Sequence, residues 1–171
     1  TVGGGIRSLT DVETLLQAGA DRVAINTAAL NNPNLLNDLV QVFGSSTIVL
    51  SVEYKVNPFT NERQVYSSSG RDLHDIKIMD WIDKACEVQV GEIWLTSISR
   101  DGTGEGLDLD FINIVRDICA MPVIASGGIG KLEHVRQATQ VCDGLALSSA
   151  LHYGLINDHN RMANEGRKPS E

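Results

Sequence analysis

The sequence predicts an α/β protein built around a parallel β-sheet. Short apolar runs rich in β-branched residues alternate with amphipathic stretches of helical period along the chain. The apolar runs, such as VAI, IVL, IWL and VIA, have no polar alternation, which is typical of strands covered on both faces. Strands and helices that alternate in this way form right-handed βαβ units. We predict strands at residues 1–3, 22–26, 47–53, 64–67, 92–97, 122–125 and 144–147, and helices at residues 9–18, 33–43, 76–88, 109–119 and 132–141.

The helix starts carry capping signals. Ser8 precedes the first helix and Asp11 follows three residues later, which is a capping box with Asp in place of the usual Glu. Asn32 and Pro33 place a capping amide before a proline at the first position of the second helix. The strand at residues 64–67 has no helix before it. It follows the preceding strand across the turn-forming sequence VNPFTN, so we predict an excursion at that strand's carboxyl end.

Composition restricts the class of protein. A length of 171 residues with 42% hydrophobic residues predicts one domain with a sizeable core. The net charge of −8 argues against nucleic acid or an anionic membrane as a partner, and no apolar run is long enough to span a bilayer. The three widely spaced cysteines fit reduced thiols in the cytoplasm. The histidines have no metal-ligand spacing, so no metal site is predicted. Residues 157–171 are predicted to be a polar tail.

Two segments of the chain match each other. VGGGIRSLTDVETLLQAGADRVAINTAAL begins at Val2, and ASGGIGKLEHVRQATQVCDGLALSSAL begins at Ala125. Each predicts a strand, a Gly-Gly turn, a helix, a second strand and a small polar pair at the head of the next helix. Glycines let backbone N–H groups approach an anion, and a helix start offers unpaired N–H groups. Either Gly-Gly turn alone is as typical of an ordinary tight βα turn as it is of a phosphate site.

The duplication favours phosphate binding at both units. We therefore predict two phosphate sites and a substrate with a phosphate at each end. The residues of the two sites are Gly4, Gly5, Asn26 and Thr27 in the first, and Gly127, Gly128, Ser148 and Ser149 in the second.

Polar residues at the predicted carboxyl ends of the strands are candidates for chemistry. Glu53 ends the apolar run TIVLSV, where a carboxylate is costly unless it is paired or functional. An ion pair with Lys55 or Arg100 is the structural alternative. Asp101 lies in the turn sequence RDGT, where it is either a functional carboxylate or a turn former. Thr96 lies near the end of the strand before that turn.

Five motifs in order resemble the HisF family, the cyclase subunits of imidazole glycerol phosphate synthase in histidine biosynthesis. The motifs are TVGGGIRS, GADRVAINTAAL, GEIWLTSISRDGTGEG, PVIASGGIG and ALHYG, and the resemblance covers residues 1–156. It implies the (βα)8 TIM barrel fold, of which this chain would hold about six βα units, the third to the eighth. The chain would then begin within the third strand, and a catalytic aspartate of the first strand would lie upstream. We therefore expect the chain by itself to be inactive.

The resemblance also implies a reaction. In the family, ammonia from a glutaminase partner crosses the barrel to a bis-phosphorylated ribulosyl aminoimidazole carboxamide ribonucleotide. This lyase and cyclase reaction needs no metal or organic cofactor, and it gives imidazole glycerol phosphate and aminoimidazole carboxamide ribonucleotide. By position, Glu53, Asp101 and Thr96 would be catalytic. Arg22 and Glu92 would belong to an ammonia gate at the amino-terminal barrel face, where the glutaminase binds; without the resemblance both are ordinary solvated strand ends.

The chain departs from the family pattern on the catalytic face. Glu53 stands where the family has a catalytic aspartate, and Ser99 where another aspartate is usual. Residues 72–75, DLHD, replace a Lys-x-Thr-Gly loop that lies over the substrate in the family. These departures keep two alternatives open. One is a HisF-like ammonia-channelling subunit for sugar amidation in surface-polysaccharide biosynthesis, and the other is a phosphate-binding barrel without catalysis.

Overall fold

The structure, a computed structural model, describes residues 1–154. Eight strands form one sheet: β1 (Val2–Gly3), β2 (Val23–Ile25), β3 (Ile48–Val56), β4 (Arg63–Ser67), β5 (Asp72–Lys77), β6 (Glu92–Ser97), β7 (Val123–Ser126) and β8 (Gly144–Ala146). The helices are α1 (Leu9–Gln17), α2 (Thr27–Asn31), α3 (Pro33–Phe43), α4 (Ile78–Val88), α5 (Leu109–Ile118) and α6 (Leu132–Ala138), with a 3-10 turn at Ser45–Thr47 and a further helical stretch at residues 149–154. The predicted tail at residues 157–171 lies outside the described residues.

Six strands form the parallel sheet that the sequence predicts. They lie in the order β1-β2-β3-β6-β7-β8, each parallel to the next, with helices in between. The sheet is curled, and β1 and β8 lie at its two edges. This is the arrangement of a partial (βα)8 TIM barrel with six βα units, so the predicted fold class is confirmed.

The excursion after β3 is confirmed, and it is longer than predicted. β4 pairs antiparallel with the end of β3, and β5 pairs antiparallel with β4. Residues 72–75, predicted to be a loop, lie in β5 instead. Their hydrophobic alternation is weak because β5 is mostly exposed, and pairing with β4, the preceding strand of the same hairpin, makes them extended. The repeat predicts a helix start at Asn26 and Thr27, and the short helix α2 begins there; it ends at Asn31 and is separate from α3, so the predicted range 33–43 does not include it.

The helices cover one face of the sheet and leave the other partly open. In β6, Ile93 and Leu95 are buried, whereas Trp94 between them is only half-buried. The predicted coverage of both faces is therefore incomplete among the described residues. On the covered side, fully buried side chains such as Leu36 of α3 and Trp81 of α4 belong to one hydrophobic core. None of the helices described in residues 1–154 is long and apolar enough to cross a membrane.

Candidate functional site

The first Gly-Gly turn opens onto a cavity of about 450 Å³ at the carboxyl end of β1. Gly4 and Gly5 have φ angles of +103° and +72°, a conformation that side chains rarely adopt. Asn26 occupies the N-cap position of α2, without a side-chain capping hydrogen bond, and Thr27 is the first residue of the helix; both line the same cavity. The structure therefore brings together the four residues of the first predicted site.

The turn between β4 and β5 contributes to this site, which sequence reasoning missed. The Ser68 amide donates a 3.3 Å hydrogen bond to Thr27 Oγ1, and Asn26 Nδ2 donates one of 3.3 Å to the Tyr66 carbonyl. Ser68 and Ser69 have positive φ angles and line the cavity, as do Ser51 and Trp94. The run SSSG at residues 67–70 is the sequence signal that could have indicated a polar turn here.

Glu53 lies in the first cavity and forms no ion pair among the described residues. Its Oε2 accepts a 3.2 Å hydrogen bond from the Gly70 amide. The two residues predicted as possible ion-pair partners bond to backbone carbonyls instead. Lys55 Nζ donates to the Gly70 carbonyl at 2.6 Å, and Arg100 Nη1 donates to the Gly106 carbonyl at 3.2 Å. The structural alternative for Glu53 is therefore wrong.

Thr96 is the register partner of Glu53. Their Cα positions pair between β3 and β6, and Thr96 in turn pairs with Ser126 of β7. Because paired residues of neighbouring strands point to the same face, these three side chains form a polar row near the carboxyl edge of the sheet. Thr96 itself does not line the first cavity.

The second Gly-Gly turn, like the first, has positive φ angles at both glycines. Gly127 and Gly128 have φ angles of +92° and +104°. A Cβ at Gly128 would lie 2.2 Å from the Gly106 carbonyl oxygen, so no other residue fits without a shift. Together with Ser148 and Ser149 the two glycines line a cleft of only about 10 Å³, which has room for about one water molecule. A phosphate would therefore have to open this cleft.

Asp101 lies in the second cleft, not in the first cavity with Glu53. Ser149 Oγ lies 3.4 Å from Asp101 Oδ1, within hydrogen-bond distance. Asp101 is exposed, and its amide donates to the Ser97 carbonyl at 3.0 Å. The two predicted catalytic carboxylates are thus each beside a different Gly-Gly turn.

The two matching segments have the same strand register. Gly3 pairs with Ala24 between β1 and β2, and Ser126 pairs with Ala146 between β7 and β8. In both cases the first residue immediately precedes the Gly-Gly turn, and the second lies two residues before the polar pair. The sequence repeat is therefore a structural repeat, with one copy at each edge of the parallel sheet.

A buried histidine supports the second turn. His134 of α6 accepts a 3.2 Å hydrogen bond at Nδ1 from the Gly130 amide. On the other side of the turn, the Gly106 amide donates to the Gly128 carbonyl at 2.7 Å. The loop that carries Asp101 and the turn that carries Gly128 are thereby fixed against each other.

A buried network ties the β3–β4 hairpin to the start of α5. Arg63 donates two hydrogen bonds to Asp108, from Nε to Oδ2 at 2.8 Å and from Nη2 to Oδ1 at 2.9 Å. Tyr54 donates a third, of 3.2 Å. Although burial opposes it, this bonding holds the pKa of Asp108 below its ordinary value, and it raises the pKa of Arg63. Burial, followed by the charge of Asp108, raises the pKa of Tyr54.

The two predicted gate residues contact each other at the amino-terminal ends of the strands, opposite the Gly-Gly turns. Arg22 lies just before β2 and Glu92 begins β6, and their side chains form an ion pair. The Glu92 side chain is 14% exposed and that of Arg22 is 42% exposed, so the pair is half-buried.

The two other departures from the family pattern, at Ser99 and at residues 72–75, make hydrogen bonds within the fold. Ser99 Oγ accepts a 3.1 Å hydrogen bond from the Val56 amide. In β5, His74 Nε2 lies 2.7 Å from Ser67 Oγ, within hydrogen-bond distance. Residues 72–75 therefore do not form the loop over the substrate, and residues 68–70 approach the first cavity instead. Within residues 1–154 there is no group of three or more His, Cys, Asp or Glu side chains that could hold a metal ion.

Comparisons with known proteins agree with the architecture. The family described as "Histidine biosynthesis protein" matches residues 1–157. Three similar proteins are each named imidazole glycerol phosphate synthase subunit HisF. They come from Streptococcus sanguinis, 40% identical over 92% of this chain and 63% of that protein; Pyrobaculum aerophilum, 43% identical over 91% and 61%; and Legionella pneumophila, 47% identical over 78% and 62%. The chain thus spans about three fifths of the length of these curated relatives.

Proposed function

Because the chain belongs to the histidine biosynthesis protein family, we propose that it acts as the cyclase subunit of an imidazole glycerol phosphate synthase. Its substrates are ammonia and the bis-phosphorylated ribulosyl aminoimidazole carboxamide ribonucleotide, and its place is the cytoplasm. The relatives' shared name supports this activity, which is proposed here for the protein as encoded.

The repeated βα unit is the observation that carries the proposal. Two Gly-Gly turns with positive φ angles and equivalent strand register, both at the carboxyl ends of the strands, supply backbone N–H groups for two phosphates. Asn26 and Thr27 add side-chain donors to the first site, and Ser148 and Ser149 add hydroxyls to the second. The Ser149–Asp101 contact is broken when the second phosphate enters, because the cleft is too narrow while that contact is made.

Two carboxylates beside two phosphate sites fit a substrate whose reacting atoms lie between its phosphates. Glu53, in the larger cavity, is the acid–base group near one end, and Asp101 is the group near the other. Thr96, the register partner of Glu53, donates a hydrogen bond to the substrate or accepts one from it at the same carboxyl end of the strands. Cyclisation and cleavage both move protons, and these groups accept and return them.

Ammonia enters from the other end of the strands. Arg22 and Glu92 pair there, and breaking this half-buried pair opens the entrance when a glutaminase subunit docks at the amino-terminal face. Glu92, Trp94 and Thr96 lie on the same face of β6, the face that the helices leave partly open, and ammonia travels along this face.

The test is ammonia-dependent formation of imidazole glycerol phosphate by the protein as encoded, with Glu53→Gln as the variant. We expect turnover to fall by about 100-fold or more, since general acid–base groups contribute about 10²–10⁴-fold. Glu53→Asp should retain most of the activity, because it restores the family's residue. Glu13→Gln, on the exposed part of α1, is the matched control. Equal turnover in wild type and Glu53→Gln would contradict the role of Glu53.

The position of residues 72–75 favours a second candidate function, ammonia delivery for sugar amidation. These residues are held in β5 and do not supply the substrate loop of the cyclase pattern. If this candidate is correct, the protein binds a phosphorylated sugar and gives no imidazole glycerol phosphate from the bis-phosphate. Binding of the bis-phosphate without turnover of either substrate would instead favour a non-catalytic phosphate-binding barrel.

A further inference from the structure

Three sulfur atoms lie together in the outer helical layer, away from the candidate site. Cys86 Sγ and Cys119 Sγ are 3.2 Å apart, and Met121 Sδ lies 4.0 Å from Cys86 Sγ. Cys86 is in the last turn of α4, and Cys119 follows directly after α5. Both thiols are free and only half-buried, whereas the third cysteine, Cys142, is buried and contacts the Ala138 carbonyl.

The spacing of the two thiols allows a sulfur–sulfur bond, whereas a shared metal ion lacks further ligands. Within residues 1–154 no group of three or more His, Cys, Asp or Glu side chains could hold a metal ion. A disulfide of about 2.05 Å requires Cys86 and Cys119 to approach by little more than 1 Å. Rotation of two side chains at helix ends supplies such a movement more easily than a shift within the core.

We propose that Cys86 and Cys119 are a peroxide-sensitive thiol pair that forms a reversible intramolecular disulfide. This site is independent of the proposed function. Both cysteines lie at the carboxyl ends of helices. In βα units these helix ends lie beside the amino-terminal ends of the strands, opposite the Gly-Gly turns. The cross-link therefore joins two consecutive βα units at the end where Arg22 and Glu92 pair.

The chemistry balances with hydrogen peroxide as the oxidant. The Cys86 sulfur attacks peroxide, the O–O bond breaks, and a sulfenic acid and one water form. The Cys119 sulfur then attacks the Cys86 sulfur, the S–O bond breaks, and hydroxide leaves as a second water with the Cys119 proton. Burial, together with the hydrogen bond to Cys86, raises the pKa of Cys119 to about 12, so Cys119 is the resolving thiol and not the first to be oxidised.

The test treats the purified chain with hydrogen peroxide and then counts thiols by alkylation and mass spectrometry. We expect two of the three thiols to be lost, a chain lighter by two hydrogens, a peptide that links Cys86 to Cys119, and Cys142 still alkylated. A thiol reductant should restore all three. Addition of oxygen without loss of two hydrogens would overturn the proposal, because it shows methionine sulfoxide or a stable sulfenic acid in place of the cross-link.

Three variants separate this pair from general oxidation. Cys142→Ser should form the cross-link as wild type does, whereas Cys86→Ser and Cys119→Ser should not lose hydrogens. In Cys119→Ser, a dimedone probe should label Cys86, because no resolving thiol is present. Retention of all thiols, a cross-link to Cys142, or equal oxidation in urea and in buffer would overturn the proposal, since each shows that native proximity of Cys86 and Cys119 does not direct the reaction.

Discussion

Replacement of Asp108 by Asn tests whether the buried network holds the β3–β4 hairpin against α5. Asp108 is 5% exposed and accepts three hydrogen bonds, two from Arg63 and one from Tyr54. An Asn side chain has one acceptor oxygen, and its NH₂ group would face a donor of Arg63. Breaking a buried ion pair on one side costs about 3–5 kcal/mol. Because the Arg63 side chain remains 24% exposed to water, we expect the lower end, about 3 kcal/mol of unfolding free energy.

Urea unfolding followed by tryptophan fluorescence measures this loss. With a slope of about 2 kcal/mol per molar urea, the midpoint should fall by about 1.5 M while the slope stays constant. Glu87→Gln, which removes one side of the exposed Lys84–Glu87 pair, is the control and should change the free energy by less than about 0.5 kcal/mol. Arg63→Met combined with Asp108→Leu should lose less than Asp108→Asn alone. A loss below about 1 kcal/mol in Asp108→Asn would refute the reasoning.

The other predictions concern pH, phosphate and the gate. The pKa of Asp108 is lowered from about 3.8, so its stabilisation is complete above that pH and is lost as the pH falls through the folded-state pKa; acid unfolding should flatten in Asp108→Asn. Gly128→Ala should weaken binding of inorganic phosphate about 10-fold or more in calorimetry, whereas Gly19→Ala, strained but in open space, should not. Glu92→Gln should impair glutamine-dependent turnover and spare turnover with free ammonia; equal loss would contradict a gate.

Features encoded in contiguous residues could be predicted from the sequence. The capping box of Ser8 and Asp11 forms as predicted, because both of its hydrogen bonds join residues within one turn. The repeated Gly-Gly units were predictable for the same reason, since glycine placement and helix starts are local signals. The order of parallel strands then follows from the alternation of strands and helices.

Features that depend on contact with another segment of the chain could not be predicted. β5 is extended because it pairs with β4, and its own residues alternate too weakly to indicate a strand. The Tyr54, Arg63 and Asp108 network joins three separate segments, so no spacing in the sequence indicates it. For the same reason the sequence predicted Glu53 and Asp101 as one catalytic set, whereas the fold places them beside different Gly-Gly turns.

The central claim is that the two repeated units bind the two phosphates of one substrate molecule. Phosphorus NMR of the bis-phosphorylated substrate, titrated with the protein, tests it directly. We expect both phosphorus resonances to shift together with one substrate bound per chain. Gly5→Ala and Gly128→Ala should each abolish the shift of a different resonance, because each alters one turn of positive φ. Shift of a single resonance in wild type, or loss of the same resonance in both variants, would contradict the claim.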